Sequence, residues 1–297
     1  MGSNACSWWA GGMLAPWCEE ESAESVVVDL GKSAADWWQD KTDIVSHRGS
    51  LVVSPRRDAA ELRRFADLTR EHQWLDGAGL SELEPDLDGR FQTALFFSRE
   101  AHLDPRKAIA KLANRIEDKG SELVFDREVT AAELDADVVV DCRGFAARDH
   151  LEGLRGVKGE MLILRSDELQ FTRPIRLLHP RYPMYLVPRG DGHYMLGATM
   201  IENSERTRFS VLSMLELLNA AYALHPALAE AEIVETGVDV RPAFRDNLPA
   251  LSRRDNVIYV NGLFRHGYLL APSMARQVAD SLEHSEGLES IPLCASF

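Results

Sequence analysis

Val257-Ile-Tyr-Val-Asn-Gly-Leu-Phe-Arg-His-Gly-Tyr-Leu-Leu-Ala-Pro-Ser-Met-Ala-Arg276 is the stretch from which the fold is read. The β-branched run Val257 to Val260 has the pattern of a short buried strand. Asn261-Gly262 breaks it, and a second glycine, Gly267, follows the pair Arg265-His266. Pro272 sits where the first turn of a helix would begin, and Met274 to Leu282 continues at helical spacing. The order is therefore strand, glycine-bearing loop, helix N-terminus. A helix N-terminus offers unpaired N–H groups and a partial positive charge. Flexible backbone ahead of it lets a flat, electron-rich ligand approach closely.

Working outward, the chain has 297 residues, enough for one large domain or two intimate ones. Its formal net charge of −14 argues against nucleic acid as a partner. Cys6, Cys18, Cys142 and Cys294 lie far apart with no C-x-x-C pair, which excludes a zinc site or disulfide framework and fits a reducing cytoplasm. Ala5 to Trp17 is apolar, but no basic residue precedes it and glycines and a proline interrupt it. It reads as neither a signal peptide nor a membrane span.

Helices are expected over Glu24 to Gln39, Asp58 to Glu71 with Asp58 as N-cap, Asp104-Pro105 to Gly120, and Thr207 to Leu224. Strands are expected at Leu51 to Ser54, Phe91 to Phe97, Leu123 to Phe125 and Asp137 to Asp141. From Gly156 onward short strands come at hairpin spacing: Met161 to Arg165, Arg176 to His179, Met184 to Pro188 and Tyr194 to Ala198, with Arg189-Gly-Asp-Gly192 as a turn. Ile233 to Arg241 is a further strand, ended by Pro242. Alternating helices and strands around a strand-rich insert give an α/β, two-domain α+β architecture. Residues 1–49, 104–156 and 243–297 form one discontinuous domain, and 50–103 and 157–242 the other.

The second unusual stretch is Ala5-Cys-Ser-Trp-Trp-Ala-Gly-Gly-Met-Leu-Ala-Pro16. Its paired glycines permit close backbone approach, and Met13 offers a polarizable contact to an aromatic ring. The plain alternative is an apolar loop packed into the core. No G-x-G-x-x-G follows an early strand, and there is no P-loop.

Together these stretches resemble the D-amino-acid-oxidase-like FAD-dependent flavoenzymes, nearest the glycine oxidases of thiamine biosynthesis. The matching segments are Ser7 to Pro16, Ala136-Asp-Val-Val-Val-Asp-Cys-Arg-Gly144, Gly156-Val-Lys-Gly-Glu-Met161, Tyr185-Leu-Val-Pro-Arg189, Gly197-Ala-Thr-Met200, Val240-Arg-Pro242 and the loop Phe264-Arg-His-Gly267 to Pro272. They run in the family's order along nearly the whole chain. The resemblance implies a Rossmann-like FAD-binding domain, N-terminally truncated, interleaved with an antiparallel-sheet substrate domain. The family begins with a dinucleotide-binding βαβ unit of about 30 residues. This sequence matches from just after that unit, so an upstream segment is expected, and the 297-residue chain is expected to load FAD weakly.

The resemblance also assigns roles. Cys6, Ser7, Gly11, Gly12 and Met13 line the flavin side of the FAD site. Val129 meets the adenine end through its backbone, and Gly144 closes a strand, here after the bulkier Cys142-Arg143. Leu263, Phe264, Arg265, His266, Gly267, Tyr268 and Leu269 wrap the isoalloxazine. Arg241, held extended before Pro242, offers a rigid fork to a carboxylate, and in the family that position grips the amino acid's carboxylate. Tyr185 points away from Met184 and Leu186 and brings its hydroxyl toward the same group. Met200 narrows the pocket over the flavin, and Arg265 stands beside the ring. Each has a plainer reading as surface arginine, strand tyrosine or core methionine.

The activity so implied is oxidative deamination of glycine or another small amino acid. A hydride passes to the flavin, and the imine, then glyoxylate, ammonia and hydrogen peroxide follow, with oxygen as co-substrate, in thiazole formation for thiamine. A sarcosine or D-amino-acid oxidase, a dehydrogenase, and a non-catalytic remnant are the alternatives. Neither a metal nor a membrane enters this reading, and a homo-oligomer is among the states the resemblance allows.

Overall fold

The computed structural model describes residues 5–181 and 183–283. The chain opens with a 3-10 turn at Cys6–Trp9, then β1 (Met13–Leu14), α1 (Pro16–Glu19), α2 (Ser25–Gly31), α3 (Ala34–Thr42) and β2 (Ser50–Val53). There follow α4 (Ala59–Leu68), β3 (Gln73–Asp76), α5 (Gly77–Leu83), β4 (Thr93–Phe97), β5 (Ala101–His102), α6 (Pro105–Asp118) and β6 (Val139–Asp141). The strand-rich part holds β7 (Arg155–Arg165), β8 (Ile175–Leu177), β9 (Met184–Gly190), β10 (His193–Gly197), α7 (Val211–Leu224) and β11 (Glu232–Ala243). The chain closes with β12 (Ala250–Arg254), β13 (Val257–Asn261) and α8 (Gly267–Glu283).

The main sheet has eight strands in the order β11-β7-β10-β9-β8-β2-β4-β3. All its pairs are antiparallel except β2 with β8. A second sheet, β12-β13-β6, contains the parallel pair β13 with β6, and β1 pairs with β5 in a third.

Side chains alternate across a strand, so each strand of the main sheet serves two environments. Leu162 and Leu164 of β7, Met184 and Leu186 of β9 and Leu196 of β10 join Leu217, Ala220 and Leu224 of α7 in one apolar core. Each fully buried leucine contributes about 1.5–3 kcal/mol. Helix α7 starts where Ser210 accepts a hydrogen bond from the Ser213 N–H at 3.1 Å. The opposite face presents Met161, Ile163, Val187 and Met195, with Tyr185, Met13 and Trp9 against them.

The strand-loop-helix stretch departs from expectation at one point. Helix α8 begins at Gly267, and Pro272 lies inside it. A proline has no N–H for the carbonyl four residues back, a loss of about 3 kcal/mol or more in a helix interior. Here that carbonyl, Tyr268 O, accepts the Trp38 indole N–H at 2.7 Å. A distant tryptophan replaces the missing donor, so the helix starts a full turn earlier than its proline suggests.

Other differences have similarly local causes. The expected helix over Glu24 to Gln39 is two helices, α2 and α3. Leu30 O near the end of α2 accepts from Ser273 Oγ of α8 at 2.5 Å, and a Cβ at Gly31 would meet Leu269 Cγ at 2.7 Å. The turn between α2 and α3 thus lets α8 pack closely. Strand β11 continues through Pro242 to Ala243. It is an edge strand, where a missing N–H interrupts no second ladder. Leu123 to Phe125 forms no strand; Val124 and Phe125 are exposed, and no described strand satisfies their backbone. Asp58 occupies the N-cap position of α4 without a side-chain capping bond, whereas Asp104 caps α6 through Arg106 N at 2.8 Å.

Candidate active site

The second face of the main sheet forms one wall of a cavity. On β7, a Cβ at Gly159 would lie 2.4 Å from Arg241 Nη2, so the absent side chain is what makes room for the guanidinium. Arg241 Nη1 donates to Thr199 O at 3.0 Å. Among the described residues no carboxylate lies within ion-pair distance of Arg241, while its neighbour Asp239 is paired with Arg206 Nε at 2.7 Å. Tyr185 of β9 crosses toward the opposite wall, where a Cβ at Gly11 would meet its ring at 2.9 Å. Trp9 lies over Gly237 of β11 in the same manner.

The opposite wall is the segment from Cys6 to Met13. Arg189 clamps it from below, donating Nη1 to Leu103 O at 3.0 Å and Nη2 to Ala10 O at 2.7 Å. Burial lowers this guanidinium to about 10, which leaves it charged at neutral pH. Gly12 adopts φ +69°, and a Cβ there would fall 2.2 Å from Leu103 O, so only glycine fits. Burial pushes the Cys6 thiol up to about 11, keeping it protonated and unreactive.

The end of the cavity is the N-terminus of α8. The first i→i−4 bond of this helix runs from Leu270 N to His266 O at 2.8 Å. The N–H groups of Gly267, Tyr268 and Leu269 precede it, and all three residues line the cavity. Beneath lies a buried charge cluster. Glu19 Oε1 is 2.7 Å from Arg176 Nη2, and Glu19 Oε2 is 2.7 Å from Arg265 Nη2 and 3.5 Å from His266 Nδ1. The Arg265 contact is ionic in character, since Oε2 has no aligned hydrogen-bond donor. Burial alone would raise the Glu19 carboxyl, but the Arg265 and Arg176 guanidiniums hold it well below the usual carboxylate range. Burial takes His266 down to about 4 against the pull of Glu19, so its imidazole is neutral at pH 7.

Of the residues expected from sequence, this cavity brings together Cys6, Ser7, Gly11, Gly12, Met13, Tyr185, Arg241 and the run Phe264 to Leu269. Met200 lines an adjoining cavity instead, where it is 59% exposed; the two cavities share Met13, Glu19, Tyr185, Ala198, Arg241 and Arg265. Leu263 packs beside Met274-containing and Leu269-containing clusters and does not line the cavity. Val129 lies in an irregular segment away from it. Gly144 does not close a strand: β6 ends at Asp141, and Gly144, at φ +60°, opens the 3-10 helix Gly144–Asp149, where its carbonyl accepts from Asn261 Nδ2 at 2.8 Å; it too is outside.

Sequence reasoning missed Glu19, Trp9, Arg176 and Asp239. Glu19 opens the run Glu19-Glu20-Glu21, which reads as a solvated acidic face. Only the fold shows that its first member turns inward.

FAD fits the ring end of this site on two observations. The glycine cradle at 11 and 12 brings backbone to the cavity edge, and Gly267 has no heavy atom within 4 Å of where a Cβ would stand. Apolar Met13, Trp9, Met161 and Leu269 supply surfaces for a flat ring, and the α8 terminus supplies donors for its acceptor edge.

The chain matches the family model for FAD dependent oxidoreductases over residues 1–281. It is 52% identical over 282 residues to ThiO of Rhizobium etli, an oxidoreductase assigned to thiamine biosynthesis, covering 95% of this chain and 86% of that protein. It is 24% identical to glycine oxidase of Bacillus subtilis, over 82% of this chain and 72% of that one. Among solved structures, glycine oxidase from Bacillus cereus superposes with a TM-score of 0.79 at 22% identity, covering 97% of this chain and 87% of the other. The chain belongs to the FAD dependent oxidoreductase family, and its mixed α/β architecture is the glycine oxidase fold.

Proposed function

We propose that this chain, with FAD, oxidises glycine to the imine, which hydrolyses to glyoxylate and ammonia, with oxygen taken to hydrogen peroxide. The observation that carries this reading is Arg241: a guanidinium without a carboxylate partner among the described residues, lining the same cavity as the N-terminus of α8. A charged fork left open at a cavity wall is matched by a ligand carboxylate. Tyr185 narrows the space beside it, and Met200 stands in the adjoining cavity on the substrate side.

FAD, when bound, supplies the hydride acceptor and the reaction with oxygen. Cys6, Ser7, Gly11, Gly12, Met13 and residues 264–269 would hold its ring end, and Val129 and Gly144 remain candidates for more remote contacts. The chain's own contribution is orientation. Arg241 fixes the carboxylate, the glycine cradle and Trp9 exclude water, and the α8 terminus places positive potential where negative charge would accumulate. No side chain of the cavity is arranged as a nucleophile, and neutral His266 faces Glu19.

A place in thiamine biosynthesis is supported by the 52% identity to the Rhizobium etli protein. Unpaired Cys6, Cys18 and Cys142 favour the cytoplasm, and no described helix is long and apolar enough to cross a membrane. We retain the division into an FAD domain (1–49, 104–156, 243–297) and a substrate domain (50–103, 157–242). The eight-stranded sheet draws its strands from the second set, apart from the first two residues of β7 and the last of β11.

The test is turnover by FAD-saturated protein on glycine, sarcosine and D-alanine, with peroxide, glyoxylate and ammonia measured together. Glycine should give all three in equal amounts. Faster turnover of sarcosine or D-alanine moves the substrate, and flavin reduction without peroxide makes the protein a dehydrogenase. No flavin reduction by any of them refutes the enzyme reading.

A further inference from the structure

The guanidiniums of Arg176 and Arg265 come from distant parts of the chain, one on β8 and the other ahead of α8. They converge on one point, and that point is occupied by Glu19, with each guanidinium 2.7 Å from a different carboxylate oxygen. Two arginines aimed at one spot form an anion site. Here the chain fills it with its own carboxylate. Glu19 is 6% exposed, and it lines both the ring-side cavity and the adjoining one. Arg241, lining the same two cavities, donates to the Thr199 carbonyl and has no carboxylate partner among the described residues.

We infer that Glu19 is a specificity-determining residue: an internal carboxylate that occupies the Arg176–Arg265 anion site and so restricts the substrate cavity to ligands with a single acid group, held at Arg241. The inference rests on the proposed role of Arg241. A second acid group entering the cavity would meet two guanidiniums already engaged and a carboxylate of its own sign. Because the two arginines keep Glu19 ionised although it is buried, this barrier persists throughout the neutral range. Ser22 Oγ, which accepts from Arg265 Nη2 at 2.6 Å, anchors the same arginine without carrying charge.

The probes are acetate and malonate, titrated into FAD-saturated protein. Binding is read from the shift of the flavin absorbance band and from the rise in melting temperature. Wild type should bind acetate at least as tightly as malonate. Glu19→Ala vacates the anion site, and malonate should tighten relative to acetate by about tenfold or more. Glu19→Gln frees the same charges with the volume kept, and its ratio should move in the same direction by a smaller factor. Should Glu19→Ala not fold, Glu19→Gln alone decides. Ser22→Ala should leave the ratio at the wild-type value. An unchanged ratio in the folded Glu19 variants, or an equal shift in Ser22→Ala, overturns the inference while Arg241 stands. Wild-type protein that responds to neither anion removes the Arg241 reading and this inference with it.

Discussion

On one face of the main sheet, Leu162, Leu164, Leu186 and Leu196 meet α7 with no accessible surface. On the other face of the same sheet, Gly159, Gly197 and Gly237 leave gaps into which Arg241, Met195 and Trp9 reach. Backbone pairing is common to both faces, so it does not distinguish them. The leucine face is filled with side chains of its own sheet and helix. The glycine face is filled by Arg241 and Met195 of the sheet itself and by Trp9 from the N-terminal segment, and incompletely, which is how a cavity arises within an otherwise dense interior. The first face holds the fold together; the second is spare volume with charge at its edge.

That contrast predicts separable consequences. The largest belongs to the leucine face. Leu164→Ala should lower unfolding free energy by roughly 2–5 kcal/mol in urea titrations while the affinity for FAD stays within twofold, because the deleted side chain never reaches the cavity. A large loss of FAD affinity in a folded variant would show that the two faces are mechanically coupled. On the glycine face the pattern should invert. Gly159→Ala places a Cβ against the Arg241 guanidinium, which must shift. The KM for glycine should rise about tenfold, near 1.4 kcal/mol, while stability changes by less than about 1 kcal/mol.

The smallest effect is a pH slope, and it belongs to polar groups outside the leucine core. Burial holds His102 and His266 at about 4 against an ordinary 6.5, so the unfolded chain binds more protons than the folded one below about 6.5. Their contribution to stability is present above 6.5 and is lost as pH falls toward 4. Burial raises Glu100 from 4.5 to about 7, so its contribution has the opposite sign: it is present below 4.5 and lost as pH rises through 7. Between pH 5 and 6.5 the histidines and Glu100 therefore pull the slope in opposite directions. Glu100→Gln removes the opposing member. Its stability should climb with pH more steeply than wild type by about 1.4 kcal/mol per pH unit, measured from urea midpoints. Parallel curves for the two proteins would contradict the burial-driven shift.

How much of this was legible in the sequence follows from the same contrast. The leucine face was readable, because alternation in β7, β9 and β10 and the apolar face of α7 are periodic signals. Tyr185 and its neighbours Met184 and Leu186 divide between the two faces as that alternation requires. Glycine-rich loops were readable as places of close approach, and Gly11, Gly12 and Gly267 do line the cavity. What could not be read was contact across distance. Trp38 repairs the break at Pro272 by donating to the Tyr268 carbonyl, 230 residues away along the chain. Glu19 meets Arg176 and Arg265 only after three elements pack together. Leu123 to Phe125 has the composition of a strand, but pairing decides strands, and no described neighbour provides it.

The central claim is that a flavin ring and an amino-acid carboxylate occupy this cavity together, the carboxylate on Arg241. Anaerobic mixing of FAD-saturated protein with glycine tests it, with the flavin absorbance followed as glycine concentration is raised. Wild type should bleach fully. Arg241→Ala should bleach to the same final extent, but its half-saturating glycine concentration should rise by roughly 30-fold to several-thousand-fold, the equivalent of about 2–5 kcal/mol of lost binding. Bleaching of both proteins at the same glycine concentration would contradict the account.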